Sequence, residues 1–182
     1  MKRIALILAI GAALLAIAVS RAESRRPYVG LYADAAHWDC DVFFSGGFLP
    51  FRLYVWWLPG DEGLWATICR LEIPPNVIVS TVTSNPDCMV ALGCIPPDLC
   101  CTLASCHTDW TWTHQIDCYL TDANPNFMRM TYNPLDPALV AANCSPGYPV
   151  EEVVVLNHLA LNQACAISTE SSSWGAIKGI YR

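Results

Sequence analysis

The chain has 182 residues, 54% apolar and 14% charged, with ten cysteines and a formal net charge of −6. The apolar share excludes a disordered chain. The acidic balance excludes a nucleic-acid binder, because only Arg52, Arg70 and Arg129 lie between Pro27 and Glu170 and phosphates need a basic patch.

Lys2 and Arg3 precede an apolar run from Ile4 to Val19, and Ser20-Arg21-Ala22 sets small residues at −3 and −1 of a cleavage site. That is the layout of a secretory signal peptide over 1–22, leaving Glu23 as the mature start. The run is shorter than the ~20 apolar residues that cross a bilayer. Membrane contact is therefore expected only through this segment, if it stays uncleaved. Cleavage removes Lys2, Arg3 and Arg21, so seven basic residues face sixteen acidic ones and the charge becomes about −9.

Beyond the leader, period-two alternation dominates. Tyr28–Ala33 reads as a first short strand. Asp34, Asp39 and Asp41 follow, read as solvated loop carboxylates beside Cys40, and Ser45-Gly46-Gly47 as a flexible loop. In Phe51–Leu58, one face carries Phe51, Leu53, Val55 and Trp57 and the other Arg52, Tyr54 and Trp56, a half-buried strand. Pro59-Gly60-Asp61-Glu62-Gly63 is a turn. Leu64–Ile73 and Val77–Val82 are strands separated by Pro74-Pro75-Asn76. The stretch from Cys88 to His107 holds five cysteines among prolines and reads as a long loop pinned to the sheet. Trp110–Leu120 is the clearest strand, with Trp110, Trp112, His114, Ile116, Cys118 and Leu120 on one core face. Asp122-Ala-Asn-Pro-Asn126 opens like a calcium loop but lacks its glycine and closing glutamate, so an Asx-type turn is expected. Phe127–Tyr132, Val150–Leu156 and Leu161–Ile167 complete the strands.

Cys40, Cys69, Cys88, Cys94, Cys100, Cys101, Cys106, Cys118, Cys144 and Cys165 all lie in the exported region, an even number that reads as five disulfides of open connectivity. The spacing does not supply the paired motifs of a zinc site, and no metal or cofactor is expected. The tandem Cys100-Cys101 shares only its cysteine pair with secreted phospholipases A2: His107 follows the third cysteine instead of standing between them. Neither a nucleophile elbow nor a metalloprotease helix occurs, so no residue is assigned a catalytic role. Tyr54 and Trp56, with Arg52 on their face, are the candidate ligand-binding residues. The closing segment 169–182 reads as a short amphipathic helix or extended tail with Trp174, Ile177 and Tyr181 on one face, which either docks on the sandwich or is presented to a partner.

Gly30-Leu-Tyr-Ala-Asp34 followed by Cys40, together with Trp174-Gly175-x-Ile177-Lys178-x-Ile180-Tyr181-Arg182, resembles a group of uncharacterised secreted bacterial β-rich proteins. Their mature chains open on G-[IL]-Y-A-D and end in W-G-x-I-K-x-[LI]-Y-R. The resemblance implies export and a β-rich fold and brings no activity with it.

The expected architecture is an all-β, antiparallel Ig-like sandwich of about seven to nine strands over 23–168, stapled by disulfides. The expected role is structural or adhesive, in the periplasm, at the cell surface or in the medium, with a protein or glycan partner at the envelope. A carbohydrate- or small-ligand-binding module using Tyr54 and Trp56 is the alternative, and an enzyme with an unrecognised site the weaker one.

Overall fold

A computed structural model describes residues 25–89, 94, 97–133 and 138–165. The expected signal peptide 1–22 and the tail 169–182 with Trp174, Ile177 and Tyr181 lie outside the described residues. The strands in chain order are β1 (Tyr28–Tyr32), β2 (Asp41–Val42), β3 (Leu49–Leu58), β4 (Leu64–Glu72), β5 (Val77–Ser84), β6 (Cys88–Met89) and β7 (Asp98–His107). They continue with β8 (Thr111–Leu120), β9 (Asn126–Thr131), β10 (Val140–Ala142), β11 (Val150–Glu152), β12 (Val154–Asn157) and β13 (Leu159–Leu161). β1, β3, β4, β5, β7, β8 and β9 form the body of a two-sheet sandwich, and the others are pieces of two to four residues that extend its edges.

The five-stranded sheet runs β12-β1-β3-β8-β5; the eight-stranded one runs β11-β10-β4-β9-β13-β2, with β7 and β6 added on the other side of β4. Pairing is antiparallel except at two edges, where β12 lies parallel to β1 and β2 parallel to β13. The expected strand Val150–Leu156 is divided at Val153, because β11 joins one sheet through β10 and β12 joins the other through β1. Of the expected strand Leu161–Ile167 only Leu161 belongs to β13, which begins at Leu159; 162–165 are not strand, and 166–167 lie outside the described residues.

Alternation builds the core between the sheets. Val29 and Leu31 of β1 and Leu53, Val55 and Trp57 of β3 are fully buried on one side. Cys69 and Leu71 of β4, Leu99, Cys101 and Leu103 of β7, and Met128 and Met130 of β9 join the same cluster. Each fully buried aliphatic side chain contributes ~1.5–3 kcal/mol. The presence of β7 corrects the expected loop. From Asp98 onward Leu99, Cys101 and Leu103 alternate inward, two leucines and a half-cystine acting alike as apolar residues.

Four disulfides fasten the sandwich. Cys40–Cys165 closes 125 residues, Cys88–Cys101 ties β6 to β7, Cys94–Cys100 anchors the start of β7, and Cys106–Cys144 ties its end to the segment after β10. The fifth expected bridge is absent. Cys69 and Cys118 remain buried thiols on the inner faces of β4 and β8, where burial pushes both up to about 12. Each is packed as a small apolar side chain instead of being presented to a partner sulfur.

Candidate functional site

Arg52, Tyr54 and Trp56 alternate with the buried Leu53, Val55 and Trp57, and so point to the outer face of the five-stranded sheet. Across one edge of β3 they meet Asp117, Gln115 and Trp112 of β8, and across the other Tyr54 and Trp56 meet Tyr32 and Gly30 of β1. Gly30 is needed here, since a Cβ would lie 2.7 Å from the Tyr32 ring and also collide with the Asn157 side chain.

A β-bulge decides what shares this face. β3 and β8 are in register from Leu49 to Val55, which lies opposite His114; Trp56 then lies opposite Trp112, so Thr113 is an extra residue on β8. Thr113 and His114 both turn inward, and Thr113 Oγ1 accepts a hydrogen bond from Trp57 Nε1 at 3.1 Å. Upstream of the bulge the alternation is reversed. Trp110 and Trp112, expected in the core with Ile116, Cys118 and Leu120, are instead half-buried on the outer side, Trp112 edge-on to Tyr54 and Trp110 edge-on to Trp56. His114 stays inside as expected, and burial drives it down to about 4.

The loop after β1 extends the aromatic face. Asp34 Oδ1 accepts hydrogen bonds from the backbone N–H of Trp38 and Asp39, at 2.9 and 3.3 Å, fixing a tight turn. Within it His37 adopts φ 54°, a left-handed conformation unusual for a side-chain-bearing residue. Its ring stacks on Trp110 at 4.5 Å, leans on Trp56 at 4.8 Å and lies parallel to Trp38 at 6.2 Å. Burial lowers the His37 pKa, while Asp34 and Asp109 pull it back up. His37 Nδ1 and Trp56 Nε1 are buried without a hydrogen-bond partner among the described residues.

At the other end of β3, Phe48 has φ 61° and stacks on Tyr119 at 5.6 Å. Gly47 sits tight beneath it, since a Cβ there would be 2.7 Å from the Thr121 carbonyl; the expected flexible loop is closely packed at that point. Between the two aromatic ends, Arg52 Nε donates to Asp117 Oδ1 at 2.7 Å. That bond, and a second with Tyr54, hold the guanidinium's proton more tightly. The strip thus reads aromatic, polar, aromatic along the strand direction.

Elsewhere the structure offers less chemistry. A cavity of about 490 Å³ opens between the sheets beside Leu71 and Val79, with Arg70 and Glu72 at its rim and no histidine in its described lining. No three His, Cys, Asp or Glu residues gather as metal ligands among the described residues. Asp41 Oδ2 accepts from the Cys165 N–H, and Asp122 Oδ1 accepts from the Asn124 N–H in the expected Asx turn, which with Asn76 lowers the Asp122 pKa.

No protein-family model and no curated protein sequence matches this chain. Among solved structures, a cohesin module from Clostridium perfringens ATCC13124 family 33 glycoside hydrolase aligns with a TM-score of 0.52 and 9% sequence identity, over 71% of this chain and 91% of that one. At that identity the likeness establishes the fold alone. It places the chain among β-sandwich modules.

Sequence reasoning located Arg52, Tyr54 and Trp56 on one outward face. It missed Trp38, His37, Trp110 and Trp112. The bulge at Thr113 leaves no mark in a run of threonines and tryptophans, and the left-handed turn at His37 carries no glycine or asparagine to announce it.

Proposed function

We propose that this chain is an exported, disulfide-stapled recognition module, acting in adhesion or assembly at a bacterial cell envelope. Its binding surface is the outer face of the five-stranded sheet. The observation that carries this reading is the convergence of Tyr54, Trp56, Trp112 and the His37–Trp38 turn on that one face. A sandwich needs to bury only its inner faces, so an aromatic face held outward serves something other than the core. Four disulfides favour an oxidising destination, in keeping with the leader expected at 1–22. The fold is shared with a cohesin module of a glycoside hydrolase, and the binding role is argued from the aromatic face, not from that likeness. In this reading the tail residues Trp174, Ile177 and Tyr181 attach or sort the module and take no part in the sheet-face contact.

The test is co-sedimentation of the purified mature protein with envelope fragments of the producing cell. Tyr54→Ala is expected to lower the bound fraction about tenfold, as anchoring aromatics do, with a nearly unchanged thermal transition; Trp56→Ala is expected to lower binding as strongly and the melting temperature with it, because its ring packs against His37 and Trp110. Equal binding by wild type and both variants would remove the face from consideration.

A further inference from the structure

Taking the outer sheet face as the recognition surface, we infer that its ligand is a neutral polysaccharide, its pyranose rings stacking on the aromatic positions at both ends of the strip. The inference rests on how the face is built. From Pro50 to Trp56 the strip runs about 20 Å at ~3.4 Å per residue, a length that suits several linked rings better than one small molecule. Its two ends carry the exposed rings, Trp38 at 67% and Phe48 at 66%.

Each end is held by strained backbone. His37, next to Trp38, and Phe48 itself both have positive φ without being glycine. Such a conformation is strained and persists where surrounding structure enforces it. At the His37 end, His37 Nδ1 and Trp56 Nε1 are also buried without hydrogen-bond partners among the described residues, a further cost. A surface whose only task is to meet solvent gains nothing from these costs.

The polar part between the ends points to the ligand class. Asp117, Gln115, Thr81 and Thr83 face outward beside Arg52 on β8 and β5. A protein-binding hot spot is a central apolar cluster with charge at its rim. Here the order is inverted, with the ion pair in the middle and the rings at the ends. Pyranose rings match that order, because each has an apolar C–H face for stacking and hydroxyls for carboxylate, amide and guanidinium. An anionic polymer is disfavoured: the exported chain is acidic, and Asp117 already occupies the Arg52 guanidinium.

The experiment uses the full mature protein and envelope fragments treated either with mild periodate, which cleaves vicinal diols, or with a broad protease. Binding is expected to vanish after periodate and survive the protease. It should also be unchanged in 0.5 M NaCl, where exposed charge pairs are screened. Affinity electrophoresis in gels containing soluble neutral polysaccharides, with alginate as the acidic control, is expected to retard the protein with at least one neutral polymer and not with alginate. Trp38→Ala should weaken both readouts about tenfold without shifting the thermal transition, since its ring is mostly exposed, and Trp38→Phe should recover part of the loss. Binding lost to protease, or lost in high salt, would overturn the glycan assignment. If Tyr54→Ala and Trp56→Ala still abolished it, the sheet face would stand with a protein or charged ligand in place of the sugar. If those variants left binding unchanged, or if wild type bound nothing, the face and the glycan would fall together.

Discussion

His114 stands inside the sandwich opposite Val55, 4% exposed, its Nδ1 3.0 Å from Thr113 Oγ1. An ordinary histidine titrates near 6.5, and burial drives this one down to about 4, so the folded state refuses a proton that the unfolded chain accepts. Stability is therefore whole above about pH 6.5 and falls as pH drops toward 4, levelling off once both states carry the proton. The interval corresponds to ~3 kcal/mol for a group this buried. His37 and His158 are lowered as well, by burial first, and act with the same sign. The expected outcome is a melting temperature that is flat near neutrality and declines from about pH 6.5 downward. His114→Gln should flatten most of that decline, and an equally steep profile in the variant would show the acid sensitivity to arise elsewhere.

At the level of elements, the bulge on β8 determines the character of the molecule's outer surface. Without the bulge at Thr113, strict alternation would place Trp110 and Trp112 in register with Ile116 and Cys118 and turn Thr111 and Thr113 to the outer face. Thr113 also gives Trp57 Nε1 its acceptor in a fully buried position. Thr113→Val preserves shape and removes that acceptor, so it is expected to cost ~1–3 kcal/mol in urea denaturation. A loss below about 0.5 kcal/mol would mean the indole N–H finds another partner and the bulge is held by backbone alone. The pair of strands β3 and β8 shows what is legible in the sequence and what is not. The alternation in Phe51–Leu58 is uninterrupted, and its two faces were read correctly, including the placement of Arg52, Tyr54 and Trp56. One extra residue in β8 reverses a face without altering composition, and β7 was concealed because half-cystines alternate with leucine where only a loop of staples was expected.

For the whole molecule, four bridges tie strand ends and edges together, Cys88–Cys101 reaching into the core, while Cys69 and Cys118 stay reduced on the inner faces of β4 and β8. Cys40–Cys165 spans nearly the entire described chain, joining the segment before β2 to the segment after β13. A loop of 125 residues loses most in the unfolded state when closed, by about 4–5 kcal/mol on the chain-entropy account. Replacing both residues with serine should therefore lower stability by ~2–5 kcal/mol, although neither lies on the recognition face.

Cys69 and Cys118 are each 1% exposed, and with their thiols pushed up to about 12 almost no thiolate forms near neutrality. Alkylation of the native protein should therefore add nothing. Alkylation after unfolding without reductant should add two groups, both mapping to these residues by peptide mass. An unfolded, unreduced protein that adds none would reveal a fifth bridge joining the two sheets through the core. One that adds four or more would show that at least one of the four bridges does not form, and β7, which carries half-cystines of three of them, is where the sandwich would then open first.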